Sequence, residues 1–249
     1  MNDRLGIDLH VHTALSPCAS AGMTPPAVLL AAERRGVGVV GVVDHNTAGN
    51  AWAVMEAAPA FDLRVLVGLE IESVEGVHIL ALFDSAEAAM GLDRVIAECL
   101  PKRANRPEVF GEQHLLDPMG EIVGEDPRLL MSAVDLSLDA VAGLIRRYGG
   151  LAVPAHIDRR ANGLLPVLGF IPPGLRADLW ELSSHLRPDA ACETWPELAT
   201  RALVNGSDAH YLEGVGCSPT RISRDTAEAR LEPAQWGRAL AQELLGPSG

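Results

Sequence analysis

Cysteine is sparse in this chain: Cys18, Cys99, Cys192 and Cys217 are scattered through 249 residues, with no CxxC pair. That spacing argues against a disulfide framework or a zinc ribbon and favours a reducing, cytoplasmic setting. No run of about eighteen apolar residues occurs, which excludes a hydrophobic membrane-spanning helix. The sequence does not open on a basic segment followed by an apolar one, so no secretory signal is expected. Positive charge is scarce, with 20 Lys and Arg against 33 Asp and Glu, a formal net charge of −13. An acidic surface repels phosphate backbones, so long nucleic acid is a poor default partner unless bound cations reverse the sign locally. Aromatic residues make up 4%, and no series of them is arranged to stack on single strands.

What is present is a soluble globular composition, 48% hydrophobic and 21% charged, long enough for one large barrel or two modest domains. The chain is organised around Gly6-Ile7-Asp8-Leu9-His10-Val11-His12-Thr13. On a regular strand Asp8, His10 and His12 would face one way and Ile7, Leu9 and Val11 the other. Two imidazoles so placed at a strand end can grip one metal ion from the same side. The plain alternative is a strand with two surface histidines.

Apolar runs ending in polar motifs recur along the chain. Strands are expected at 5–12, 37–43, 63–69, 77–83, 151–155, 178–182 and 202–205. Helices are expected between them: Thr24 as N-cap with Pro25 leading to about Arg35, then 50–57, 86–99, 138–148, 162–169 and a tail over about 225–245. Residues 101–130 break this rhythm and read as an insertion with a probable hairpin, Asp117-Pro118-Met119-Gly120 being its turn. The whole of 1–249 is read as a single domain. Alternating strands and helices predict a parallel α/β sheet closed into a barrel, its site at the C-terminal ends of the strands.

The candidate metal ligands are His10, His12, His45, Glu70, His78, His156, Asp208 and His210. Imidazole with carboxylate suits zinc, manganese or iron, and eight ligands exceed the four that one structural ion takes. Two or three divalent ions are therefore expected, with Glu70 bridging. Asp44 beside His45, and Asp8 near His10, are placed to accept a hydrogen bond from a ligating ring. Singly, each residue could be an ordinary hydrogen-bonded group; the case rests on their recurrence after separate apolar runs.

These motifs resemble the PHP (polymerase and histidinol phosphatase) domain of metal-dependent phosphoesterases. The matching stretches are Asp8-Leu9-His10-Val11-His12-Thr13, Val43-Asp44-His45-Asn46, Gly68-Leu69-Glu70, His78, Pro154-Ala155-His156 and Gly206-Ser207-Asp208-Ala209-His210, in family order over nearly the whole chain. The resemblance, to a stand-alone subgroup, implies a distorted seven-stranded (β/α)7 TIM-like barrel with a trinuclear centre. One ion would be held by His10, His12, Glu70 and Asp208, a second by Glu70, His78 and His156, and a third by His45 and His210. Cys18 stands where some members place a further histidine, and is either a thiolate ligand of the third ion or a small hydrophobe.

The implied reaction is hydrolysis of a phosphate ester of a small metabolite or nucleotide by a metal-activated hydroxide. Glu70 and Asp208 serve it through the metals. Arg159 is the candidate phosphoryl clamp, or else a solvated loop charge. Inorganic phosphate or a small phosphorylated substrate is the expected partner. Glu181 and His185 are read as strand-end polar residues that could line the pocket, and His114 as an exposed residue that could reach over it. Trp180 and Trp195 are read as core, with stacking on one base the other use. The rival functions are an amidohydrolase-like C–N hydrolase and a non-catalytic metal-binding regulatory module.

Overall fold

A computed structural model describes residues 3–246. The elements in chain order begin with β1 (Arg4–Val11), α1 (Pro25–Arg34), β2 (Val37–His45), α2 (Ala51–Ala57) and β3 (Arg64–Glu72). β4 (His78–Phe83), α3 (Ala86–Cys99), α4 (Pro107–Phe110), β5 (His114–Leu116), β6 (Ile122–Glu125) and α5 (Leu138–Arg147) follow. Then come β7 (Leu151–Pro154), α6 (Leu164–Leu168), β8 (Trp180–Leu182), α7 (Pro188–Thr194) and β9 (Leu203–Asn205). β10 (Thr220–Ser223), α8 (Arg224–Glu228) and α9 (Pro233–Leu245) end the described chain.

Local chemistry sets several of these boundaries. Thr24 occupies the N-cap of α1 with extended backbone but no side-chain cap bond, and Pro25 fills the first helical position, where no amide is needed. Ser85 and Ser137 cap α3 and α5 by accepting the amides of Ala88 and Ala140. The hairpin of β5 and β6 forms where it was expected, Asp117 Oδ1 accepting the amides of Met119 and Glu121 across the turn.

The main sheet has six strands in the order β10-β1-β2-β3-β4-β7. β1, β2 and β3 are parallel, as predicted. β4 runs antiparallel to both β3 and β7, and β10 runs antiparallel to β1, so the uniformly parallel sheet expected from the sequence is replaced by a mixed one. The reason lies in the connection: residues 73–77 are too few for a crossover helix, so β4 must fold back on β3. The expected sixth and seventh strands form a separate parallel pair, β8 with β9. This pair links the end of β7 to the end of β1: Ile157 N–H donates to Glu181 O at 2.8 Å, and His12 N–H to Ala209 O at 3.0 Å. The result is a curled half-barrel, consistent with a TIM-like barrel, with helices outside. The helical tail expected over about 225–245 forms as two helices, α8 and α9, and β10 lies just before it.

Two apolar clusters fix the layers. Val40, Val42, Val65 and Val67 pack outward against Val28 and Leu29 of α1 and Leu92 and Ile96 of α3. Val39, Val43 and Leu66 pack inward with Leu80, Leu151 and Val204, and Trp236 and Leu240 of α9 join them. Ile7 and Leu9 belong to the inner cluster but Val11 to the outer one, because the β1–β2 register shifts between Asp8 and Val11. Strict alternation through the first motif therefore fails: Asp8 turns away to accept the amides of Ser207 and Gly216, while His10 and His12 stay on the inner side.

Candidate metal centre

Side chains above the inner apolar cluster form the site. His10 is the last residue but one of β1 and His12 follows the strand, His45 ends β2, Glu70 lies near the end of β3, and His78 opens the reversed β4 at the same rim. His156 follows β7, and Asp208 and His210 follow β9. The chain turns sharply here: Asn46, His156 and Asp208 all have positive φ, of 52°, 28° and 51°. Such backbone costs about 1–3 kcal/mol at a non-glycine residue and persists only where surroundings enforce it. Asn46 shows the enforcement, donating its side-chain amide to the carbonyls of Leu130 and Ser132.

Glu70, 1% exposed, lies at the centre. Its Oε1 is 2.6 Å from His78 Nδ1, 3.1 Å from His156 Nε2 and 3.3 Å from His10 Nε2. Its Oε2 is 2.9 Å from His45 Nδ1 and 3.4 Å from His12 Nε2. Asp208 Oδ1 is 3.2 Å from His12 Nε2, 3.3 Å from His10 Nε2 and 3.6 Å from His210 Nδ1. Ligand atoms lie within 4.8 Å of one another in three groups: His10, His12, Glu70 and Asp208; His45, Glu70 and His78; and His12, His45 and His210. All eight residues expected from the sequence are thus brought together.

The hydrogen bonds behind the rings settle which nitrogens face inward. Ser16 Oγ donates to Asp44 Oδ1 at 2.6 Å, so at 2.8 Å it accepts from His12 Nδ1. Thr13 also donates to Asp44, through its amide and its hydroxyl. His10 Nδ1 lies 2.9 Å from Glu181 Oε1, a buried acceptor that also takes the His156 amide at 3.1 Å. With both Nδ1 atoms so engaged, the two Nε2 atoms stand 3.1 Å apart. Two acceptors that close repel unless a proton or a cation stands between them. His156 Nδ1, also buried, has no hydrogen-bond partner. This donor set fits divalent cations with nitrogen and oxygen preference. The predicted partnering of Asp8 with His10 and of Asp44 with His45 is corrected: Asp44 supports His12 through Ser16, and the carboxylate behind His10 is Glu181.

Without cations the cluster shares protons. Burial disfavours charge on His10, but Glu181, Glu70 and Asp208 outweigh it and hold its pKa well above the ordinary value. His45 is likewise pushed up to about 10, burial being overcome chiefly by Glu70. His12 goes well down, through burial and the neighbouring His210 and His45. Burial opposes the ionised forms of Glu70 and Asp208, yet the imidazoles around them draw both well below the usual carboxylate range.

Cys18 is exposed and stands against His45 and His210; burial of its sulfur pushes the thiol up, and those two rings bring it to about 7. It belongs to none of the three ligand groups. Arg159 pairs with Asp208 and lines a cavity with His156, Glu181 and His185. His114 is not exposed as expected: it is buried, its Nε2 3.0 Å from Glu112, and outside the cluster. Trp180 is buried with Arg201 over its ring, and Trp195 packs against the outer core. Glu181 is the residue that sequence reasoning undervalued; the one available signal was a carboxylate inside an apolar run, as at Glu70.

No family model matches the sequence. An uncharacterised protein of Methanocaldococcus jannaschii is 27% identical over 142 residues, covering 54% of this chain and 78% of that protein. Among solved structures, the lesion-specific endonuclease Q of Pyrococcus furiosus superposes with a TM-score of 0.70 at 17% identity, over 99% of this chain and 57% of its own. The chain therefore spans little more than half of that enzyme's length. A candidate metal-dependent phosphoesterase from Bifidobacterium adolescentis matches with a TM-score of 0.57 at 18% identity, over 98% of each chain. An amidohydrolase from Chromobacterium violaceum matches with a TM-score of 0.57 at 22% identity, over 88% of this chain and 91% of its own. These likenesses define the fold as one shared by proteins described as an endonuclease, a phosphoesterase and an amidohydrolase.

Proposed function

We propose that the chain is a metal-dependent phosphoesterase of the PHP type. The observation that carries this reading is the convergence of six imidazoles and two carboxylates on one rim, with the Nε2 atoms of His10 and His12 only 3.1 Å apart. His10, His12, Glu70 and Asp208 would hold one ion, and Glu70 and His78, with His156 or His45, a second. His45 and His210, with Cys18 beside them, would hold a third; zinc, manganese and iron all suit these donors. Bound there, such ions supply charge neutralisation on the phosphoryl group and acidify a water at neutral pH.

The chain's own residues supply the rest. Glu181 and Ser16 hold the protons of His10 and His12 on the outward nitrogens, so that the inward ones stay free to ligate. Arg159, already at Asp208, is placed to orient a phosphoryl oxygen. Inorganic phosphate or a small phosphorylated compound is the partner that this site favours. One fold neighbour is an endonuclease Q held with a 27-mer duplex carrying an abasic lesion at its active site, so acidic charge alone does not decide against nucleic acid.

Amidohydrolase-like C–N hydrolysis is the second reading, favoured by the Chromobacterium violaceum fold neighbour. Against it stands the absence of a metal-bridging lysine: the chain's single lysine, Lys102, is exposed and pairs with Glu98. No described helix is long and apolar enough to cross a membrane. Protein loaded separately with manganese, zinc and iron is assayed on p-nitrophenyl phosphate and on simple amides. Phosphate release with bound metal is expected. Amide turnover alone would establish the second reading, and bound metal with no turnover would point to a regulatory module.

A further inference from the structure

Beside the cluster lies a cavity of about 330 Å³, the lower end of the ordinary range for ligand sites of about 300–1,000 Å³. One wall is the cluster itself, through His156, Glu181 and Asp208; the other carries Arg159, Ser184 and His185, and serines and glycine complete it. Ligand sites are mostly lined by hydrophobic and aromatic side chains. This one has no aliphatic side chain and no Phe, Tyr or Trp: every lining residue is polar, charged or glycine. Tyr211, exposed and adjacent in sequence to His210, is not in the wall.

The wall is also built in advance. Asn205 donates its side-chain amide to the carbonyls of Ser183 and Leu186, and Asp158 accepts both the amide and the hydroxyl of Ser183, fixing the 183–186 loop. Glu181 Oε2 is buried, lacks a hydrogen-bond partner, and packs so tightly on Gly206 that a Cβ there would overlap it. An unpartnered carboxylate oxygen is an acceptor only; it suits a hydroxyl and repels a second anion. A nucleobase gains about 1–3 kcal/mol from stacking on aromatic side chains; the wall has no Phe, Tyr or Trp, and of its planar groups His156 and Arg159 are engaged by Glu70 and Asp208, which leaves His185 alone.

Building on the phosphoesterase reading, we propose that this cavity is the leaving-group subsite and that its occupant is hydroxylated and base-free, so that the substrate class is sugar or polyol monophosphates. Substrate hydroxyls would donate to Glu181 Oε2 and exchange hydrogen bonds with Ser184 and His185, while the phosphoryl group faces the cluster.

The test uses metal-loaded full chain and a panel of pentose and hexose phosphates, glycerol phosphate, nucleoside monophosphates and p-nitrophenyl phosphate. The best sugar or polyol phosphate is expected to exceed the best nucleotide by about tenfold or more in kcat/KM. In H185A or S184A the ratio of sugar phosphate to p-nitrophenyl phosphate kcat/KM is expected to fall about tenfold, the effect of one lost hydrogen bond. A nucleotide turned over best, or a duplex with an abasic site cleaved faster than any small sugar phosphate, overturns the assignment and leaves the phosphoesterase reading intact. Thermal shift gives a readout independent of turnover, with sugar phosphates raising Tm more than AMP does. If no phosphate ester is hydrolysed the parent reading falls, and an equal or larger shift with AMP overturns the subsite by itself.

Discussion

At the residue scale, Glu70 bears the most weight, since five of the six clustered imidazoles lie within hydrogen-bond or ion-pair distance of its carboxylate. Glu70→Gln is expected to abolish phosphate release and lower the bound metal, measured by elemental analysis per chain; unchanged stoichiometry and turnover would refute its bridging role. Glu181→Ala leaves His10 Nδ1 without its acceptor, and metal affinity should weaken about 10–100-fold, as read by titration against a chelating dye. Cys18→Ser should cost at most the third ion; a stoichiometry identical to wild type would make the thiol structural. The eight clustered positions were legible because their residue types recur after apolar runs. Glu181 was not, because a three-residue strand carries no periodicity to show which way its middle side chain points.

At the element scale, the strands that build the site announce themselves as β-branched runs, and β1, β2 and β3 pair as expected. Strand direction left only an indirect mark, the five-residue link before β4. β10 went unread because four residues with one buried side chain do not stand out from a loop. The β3–β4 pairing that results is intolerant at Gly68, where an added Cβ would overlap the Ala81 carbonyl oxygen. Gly68→Ala, two residues from Glu70, should destabilise by about 3 kcal/mol, the upper end of overpacking costs. For a chain of this size that is a fall in Tm of about 10 °C by calorimetry. A change within a degree or two would show that β4 can shift without loss.

For the whole molecule, the shared protons of the cluster predict opposite pH trends with and without metal. In metal-free protein His45, raised from 6.5 to about 10, contributes stability that is complete below pH 6.5 and lost as pH rises through about 10. His10 and His210 are raised as well and act in the same sense, whereas His12 and the Cys18 thiol, both lowered, oppose them, the thiol by a smaller shift than that of His45. Glu70 and Asp208, both lowered, contribute above their ordinary values of 4.5 and 3.8 and lose it as pH falls. The metal-free Tm should therefore peak at mildly acidic pH and decline from pH 7 towards 10. Bound ions compete with those same protons, so the Tm gain on loading should grow over that interval. Scanning fluorimetry before and after chelation checks both; a metal-free Tm that climbs from pH 7 to 10 would mean the rings are not protonated in the cluster.

The bridge between Val11 and Ala209 carries one more implication. It joins the first strand to a segment nearly two hundred residues downstream, beside His10, His12 and Asp208. During synthesis the early histidines emerge long before their carboxylate and last imidazole exist, so any ion met by a nascent chain would find an incomplete set of donors. Any selectivity among cations would thereby be deferred until the two ends of the rim have met.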